Sequence, residues 1–219
     1  MADVTAALVK ELRNITGAGM MDCKKALSEN DANIESSVDW LRSQGLAAAA
    51  KKSGRAASEG LVAVITSGDK GAIIELNSET DFVARNDTFQ EFAETICKIA
   101  LDSDGDIKSL KSAKYINGGT IEEQLTHQIA TIGENMDLRR SSILEVPGGV
   151  VVSYMHNAVS AGLGKIGVLV GIESSGAGVE LATLGKQIAM HVAAANPLAL
   201  DRSSVNQSDL EREKAILME

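Results

Sequence analysis

Aromatic side chains are scarce: three Phe, two Tyr and one Trp make up 3% of 219 residues. A core with so few rings must rest on Ala, Val, Ile and Leu, which favours thin layers of helix on sheet over one bulky centre. Cysteine is as rare. Cys23 and Cys97 lie in separate helix-like segments without metal-ligand spacing, which argues against a disulfide framework and fits a reducing cytoplasm. No run of 18 apolar residues is present, so no membrane-spanning helix is expected. The N-terminus Met1-Ala2-Asp3-Val4-Thr5 lacks a basic region ahead of an apolar one and does not read as a signal peptide. Positive charge is short too: 21 Lys and Arg against 30 Asp and Glu give a net charge of -9. Phosphate backbones are held by clustered Lys and Arg, and no cluster here exceeds a few residues, so direct nucleic-acid binding is not expected.

Catalytic patterns are missing as well. His127, His156 and His191 are spread over different segments, none at the i, i+4 spacing of a helical zinc site. Gly162, Gly164 and Lys165 invite a phosphate-loop reading, but Val159 stands where glycine is needed and Ile166 where Ser or Thr is needed. Cys23 shares a helical stripe with Met20 and Leu27, the spacing of a small buried hydrophobe rather than a nucleophile. No Ser-His-Asp arrangement is apparent. The chain reads as a binding protein, not an enzyme, with no cofactor and no metal.

What is present is 44% hydrophobic residues in a chain long enough for one large core or two to three small ones. Leu8, Leu12 and Ile15, then Met20, Cys23 and Leu27, then Ile34, Val38 and Leu41 predict three short helices, a small bundle of the ubiquitin-associated type. The bundle is assigned to residues 1–50 and should end near residue 45. Residues 51–60 contain no large apolar side chain and read as a linker. Beyond it, Leu61–Thr66 and Ala72–Asn77 have strand character around the turn-like Ser67–Gly71. Helices are expected to open at Asp87, with Gln90 in an approximate capping box, and at Thr120, with Glu123 in the same role. The plan then repeats, with strands over Val150–Met155 and Ile166–Ile172 and a helix over 179–195 carrying Leu181, Leu184, Ile188 and Val192 on one face. The predicted fold class is α+β: a first core unit over 61–140 and a second over 141–204, small antiparallel sheets covered by helices. Residues 205–219 begin a further helix at Ser208, with Glu211 in a capping box, expected to be cut short at Glu219.

One segment stands apart. Thr80-Asp81-Phe82-Val83-Ala84-Arg85-Asn86 follows the apolar run Ala72–Leu76 and precedes a helix start. Strand-to-helix connections lie on the surface, so a Phe spent there is presented. Taken alone, a Phe is more often core than anchor, and Asp81 would most often be a solvated or capping carboxylate.

This segment, together with Thr16-Gly17-Ala18-Gly19-Met20-Met21-Asp22-Cys23-Lys24-Lys25-Ala26-Leu27, resembles bacterial elongation factor Ts. The resemblance continues in order through Ile132-Gly133-Glu134-Asn135, Arg139-Arg140, Tyr154-Met155-His156, Gly164–Val170 and Ile188–Ala194. It implies a guanine nucleotide exchange factor acting in translation elongation on the GTPase elongation factor Tu. Asp81 and Phe82 would be the pair pushed into the GTPase to dislodge magnesium, with Thr80 and Val83 shaping the loop. Lys10, Arg13, Met20 and Met21 would dock the bundle, and His156 would be a contact from the second unit. The family continues past residue 219 with a completed helical hairpin and a further segment that also touches the GTPase, and the loop Asn157–Gly164 departs from compact members. Two other functions are compatible with the residues: a ubiquitin-associated-type adaptor or scaffold without exchange activity, and an enzyme with a site between the core units.

Overall fold

The computed structural model describes residues 3–174 and 178–218; Met1, Ala2, Ser175, Gly176, Ala177 and Glu219 lie outside them, as does the expected cut at Glu219. Helices α1 (Ala6–Thr16), α2 (Met20–Glu29) and α3 (Ile34–Lys52) form the N-terminal bundle. Thr5 caps α1 through its side chain, and Gly17 ends it with φ of 67°, a backbone that glycine adopts without a Cβ penalty. Val9, Leu12, Cys23, Ala26 and Leu27 make the bundle's core. Ile15 and Met20, read from spacing as core, are instead 58% and 48% exposed. The reason is rotational: with Val9 and Ala26 in the two stripes, Ile15 and Met20 lie about 70° from the stripe centres, given 100° per helical residue.

Helix α3 does not stop near residue 45. It runs on to Lys52, and its second half packs on α7 (Ile121–Ile132). A Cβ on Gly45 would sit 3.2 Å from that of Ala130, Arg42 meets Glu123 at 2.8 Å, and Lys52 Nζ donates to the Ile129 carbonyl. Gly45 therefore serves a close approach between helices and not a helix end. Between the end of α3 and the first strand, only residues 53–58 lie outside regular elements.

Strands β1 (Glu59–Ser67) and β2 (Lys70–Ser78) form a hairpin pairing Glu59 with Ser78 and Ser67 with Lys70. Strand β3 (Met136–Glu145) joins the outer side of β2, and β5 (Leu163–Gly164) joins β1, giving the antiparallel order β3-β2-β1-β5. The division expected between residues 140 and 141 falls inside β3, and β5 from the second half completes the first sheet. A second, two-stranded sheet pairs β4 (Val150–His156) with β6 (Ile166–Ile172).

Strand alternation sorts the layers. Leu61, Ala63, Ile74 and Leu76 share a core with Phe89, Phe92 and Ile96 of α5 (Asp87–Leu101). Val62, Val64 and Ile73 point to the opposite face, where a Cβ on Gly167 would lie 2.7, 2.9 and 3.0 Å from their side chains. The second sheet therefore stacks on the back of the first. Its outer side is covered by α8 (Gly178–Ala195), through Gly185 against Val152 and Ile172. Gly185 and Ala189 form the buried seam of α8 while Leu184 and Ile188 are partly exposed beside it. Small residues win that seam because they let the helix approach the sheet. The fold is α+β, with helices on small antiparallel sheets.

Two helix starts differ from expectation. Asn86, not Asp87, caps α5: its Oδ1 accepts from the amides of Thr88 and Phe89, and Gln90 instead reaches the Ala84 carbonyl. The last helix, α9 (Gln207–Met218), starts beside Asn206, whose Oδ1 accepts from the Ser208 amide. In both cases the carboxamide one or two positions upstream reaches the free amides first. At α7 the Thr120–Glu123 capping box is complete.

Candidate functional site

The segment after β2 is built from a short frame. Ser78 closes β2, Thr80 is extended, and α4 (Asp81–Ala84) is a single helical turn before the Asn86 cap of α5. The connection expected as a loop is thus a helical turn. An isolated turn of four residues is far below the length at which a helix holds itself, so its position comes from outside. Val83 and Ala84 are buried against the core of the first sheet. Ser78 Oγ donates to the Thr80 carbonyl at 2.8 Å. Glu134 accepts from both the amide and the hydroxyl of Thr80, at 2.9 and 2.7 Å.

With its inner residues held, the turn presents the other two. Phe82 is 76% exposed, and the side chain of Asp81 is half exposed, 3.2 Å from the Arg85 guanidinium. Phe89 and Phe92, the chain's other phenylalanines, are fully buried. Leaving a Phe in water forgoes about 1.5–3 kcal/mol of burial, and here the forgone burial falls on a framed turn rather than on a mobile tip.

Glu134 follows Gly133, which ends α7 with φ of 91°. The next residue, Asn135, is buried and donates through its amide to Glu79 and through its side chain to the Arg55 carbonyl, the latter at 2.7 Å. Arg55 returns to Glu79 at 3.4 Å. Residues from three distant parts of the sequence thus meet behind the turn. Spacing alone could not find them, because the partners of Thr80 and Glu79 lie 54 and 56 positions away.

The other residues named from sequence fall on separate elements. Lys10 and Arg13 are exposed on α1, and Met20 and Met21 are exposed at the start of α2. Ile15 adds to the apolar surface of this corner. His156 ends β4, where its Nδ1 lies 3.1 Å from the Tyr154 hydroxyl. Gly164 and Lys165 adjoin β6 with no helix following, and Lys165 pairs with Glu59 at 2.9 Å, so the phosphate-loop geometry is not formed. His127 lies on α7 near Gly17 with its side chain exposed; partial desolvation favours the neutral ring and lowers its pKa, and a hydrogen bond to the Thr16 backbone opposes this by favouring the charged one. Cys97 donates to the Ala72 carbonyl, and burial pushes its thiol up to about 12, leaving no thiolate for chemistry at neutral pH. Among the described residues no group of three or more His, Cys, Asp or Glu could hold a metal ion, and no helix is long and apolar enough to cross a membrane.

Comparison with known proteins places these features. The elongation factor Ts family pattern matches residues 79–219, beginning at the frame of the turn. Elongation factor Ts of Rhodospirillum rubrum is 61% identical over 221 residues, covering 100% of this chain and 72% of the relative. The Zymomonas mobilis protein of the same name is 58% identical over 219 residues, covering 100% and 71%. That of Sphingopyxis alaskensis is 58% identical over 220 residues, with the same coverage. The first 78 residues, outside the family pattern, are within these whole-chain matches. On this identity over its full length, the chain belongs to the elongation factor Ts family of translation elongation factors.

Proposed function

We propose that the chain is a guanine nucleotide exchange factor in the cytoplasm that binds elongation factor Tu with GDP and hastens GDP release by disturbing its magnesium and phosphate site. The observation that carries this reading is Phe82, an exposed ring on a turn framed by buried neighbours and by Glu134. Such a ring acts as a preformed wedge, because the cost of ordering it is met before the partner arrives. Magnesium demands near-ideal octahedral oxygen ligands and bridges protein groups to nucleotide phosphates. A small displacement of the element that holds it is enough to lose the ion, and the diphosphate then leaves poorly neutralised. No bond is made or broken by this chain, so the activity is binding and not enzymatic catalysis. The effect on GDP affinity is a coupling free energy, and GDP must weaken the factor's grip by the same ratio.

Thr80 and Val83 hold the turn, while Asp81 and Phe82 enter the partner. Lys10, Arg13, Met20 and Met21 dock the bundle, and His156 contacts the partner from the second sheet. The test is release of fluorescent GDP from elongation factor Tu with and without the chain. Release should accelerate with added factor and saturate. An unchanged rate with folded factor at high concentration overturns the reading.

Asp81 gives a finer expectation. Its carboxylate is held by Arg85 and can compete for donors near the metal or place negative charge beside it. Asp81→Asn should slow GDP release when magnesium is present, and the defect should shrink when the metal is chelated. A defect of equal size with and without metal would remove Asp81 from the magnesium step.

We also propose that chain cleavage begins in the stretch at 51–60, between the bundle over residues 1–50 and the core from residue 61, with the second half of α3 still packed on α7. Residues 53–56 are exposed and outside regular elements. Limited trypsin digestion should cut first at 51–58, Arg55 included. An early cut inside Leu61–Leu76, where every residue is in the hairpin, would count against it.

A further inference from the structure

Thr80 occupies the N-cap of α4, yet its side chain makes no cap bond to the turn. A threonine there ordinarily accepts from an amide of its own helix. Here the hydroxyl is spent in the other direction, as a donor to Glu134 Oε1, while the Thr80 amide donates to Oε2. The carboxylate is half-buried and enters none of the described ion pairs. Both of its oxygens are committed to one residue, whose immediate successors are Asp81 and Phe82. Hydrogen bonds to an ionised acceptor are shorter and stronger than neutral ones, and a two-point contact fixes orientation as well as distance.

Val83 and Ala84 pin the inner side of the turn. The end from which Asp81 and Phe82 project is held by Ser78 and Glu134, besides the Arg85–Asp81 pair within the turn itself. Behind Glu134 the mounting is stiff: Gly133 terminates α7, and Asn135 is tied to Glu79 and to the Arg55 carbonyl. Resting on the exchange function proposed above, we infer that Glu134 is a positioning residue for exchange: its carboxylate, gripping Thr80, sets the direction in which Phe82 enters the GTPase. It touches neither nucleotide nor metal, and it acts through the turn.

Positioning has a signature that simple stabilisation lacks. A misdirected wedge should still allow docking through the bundle and the second sheet but transmit less displacement once docked. The full chain carrying Glu134→Ala should therefore bind nucleotide-free elongation factor Tu within a few-fold of the parent, yet at saturating factor release labelled GDP about tenfold more slowly. Glu134→Gln, which can accept from the amide and donate to the hydroxyl, should recover most of the rate. Thr80→Val removes only the hydroxyl arm in an isosteric side chain and should fall between, with Thr80→Ser close to the parent. This pair keeps the question answerable if Glu134→Ala does not fold. Saturating rates for Glu134→Ala and Thr80→Val equal to the parent's, in a background where Phe82→Ala is slow, would overturn the positioning role and leave the exchange reading standing. Equal rates for all of them, Phe82→Ala included, would overturn the exchange reading itself. A loss confined to affinity, with the saturating rate intact, would make Glu134 a structural or docking group and also overturn the inference.

Discussion

Phe82→Ala should reduce the acceleration of GDP release by about 30-fold or more while the protein melts with the parent. The size follows from an interface anchor, whose truncation costs about 2 kcal/mol or more, at tenfold per 1.4 kcal/mol. The unchanged melting follows from exposure: at 76% the ring has little core burial to lose, and the contacts that hold the turn belong to Thr80, Val83 and Ala84. Stopped-flow release of labelled GDP, together with a thermal melt, separates the two effects. A variant that melts early but exchanges normally at low temperature would place Phe82 in the core and remove the wedge. A variant that neither melts early nor exchanges slowly would leave the ring without a role.

How far the sequence could carry this reading depended on the range of each interaction. The Thr120–Glu123 capping box was legible because both partners sit within one turn, and it is present as expected. The strands over 61–66, 72–77, 150–155 and 166–172 were legible from apolar pattern and turn glycines, and each lies inside an observed strand. Helix ends were harder. The bundle is expected to end near residue 45, but there the chain continues as a helix whose Gly45 lies against Ala130 on a helix 85 positions later, a contact invisible to periodicity. Ile15 and Met20 read as core by spacing, which gives a face but not which flank of it points inward. The composition of Thr80–Asn86 could not say whether Phe82 is out or in, and motif order supplied that expectation. The frame behind the turn was not legible at all. Glu134 and Asn135 meet Thr80 and Glu79 beside the pairing of β3 with β2, so their roles exist in the folded chain alone.

The same side chain ten positions later should behave in the opposite way. Phe92 is 1% exposed, packed in the cluster that joins α5 to the first sheet, with its ring centroid 5.6 Å from that of Tyr115 in a tilted pair. In a chain with three Phe, the two buried ones fill space that Ala, Val, Ile and Leu elsewhere fill in smaller pieces. Truncating one leaves a cavity that short aliphatic neighbours cannot reach across. Phe92→Ala should therefore cost about 3–5 kcal/mol, a large part of the 5–15 kcal/mol that a folded chain of this kind commonly has. At about 2–4 °C per kcal/mol for a protein of this length, the melting temperature should fall by roughly 6–20 °C. Because Phe92 is out of reach of any partner, the folded fraction should still accelerate GDP release nearly as well as the parent at low temperature. Differential scanning calorimetry and low-temperature exchange on the two variants should then cross: Phe82→Ala stable and slow, Phe92→Ala unstable and fast. A Phe92→Ala protein that melts with the parent would show that the cluster around α5 relaxes to fill the gap. Slow exchange in a fully folded Phe92→Ala protein would instead mean that α5 must be rigid for the turn ahead of it to push, extending the frame of Phe82 into the core.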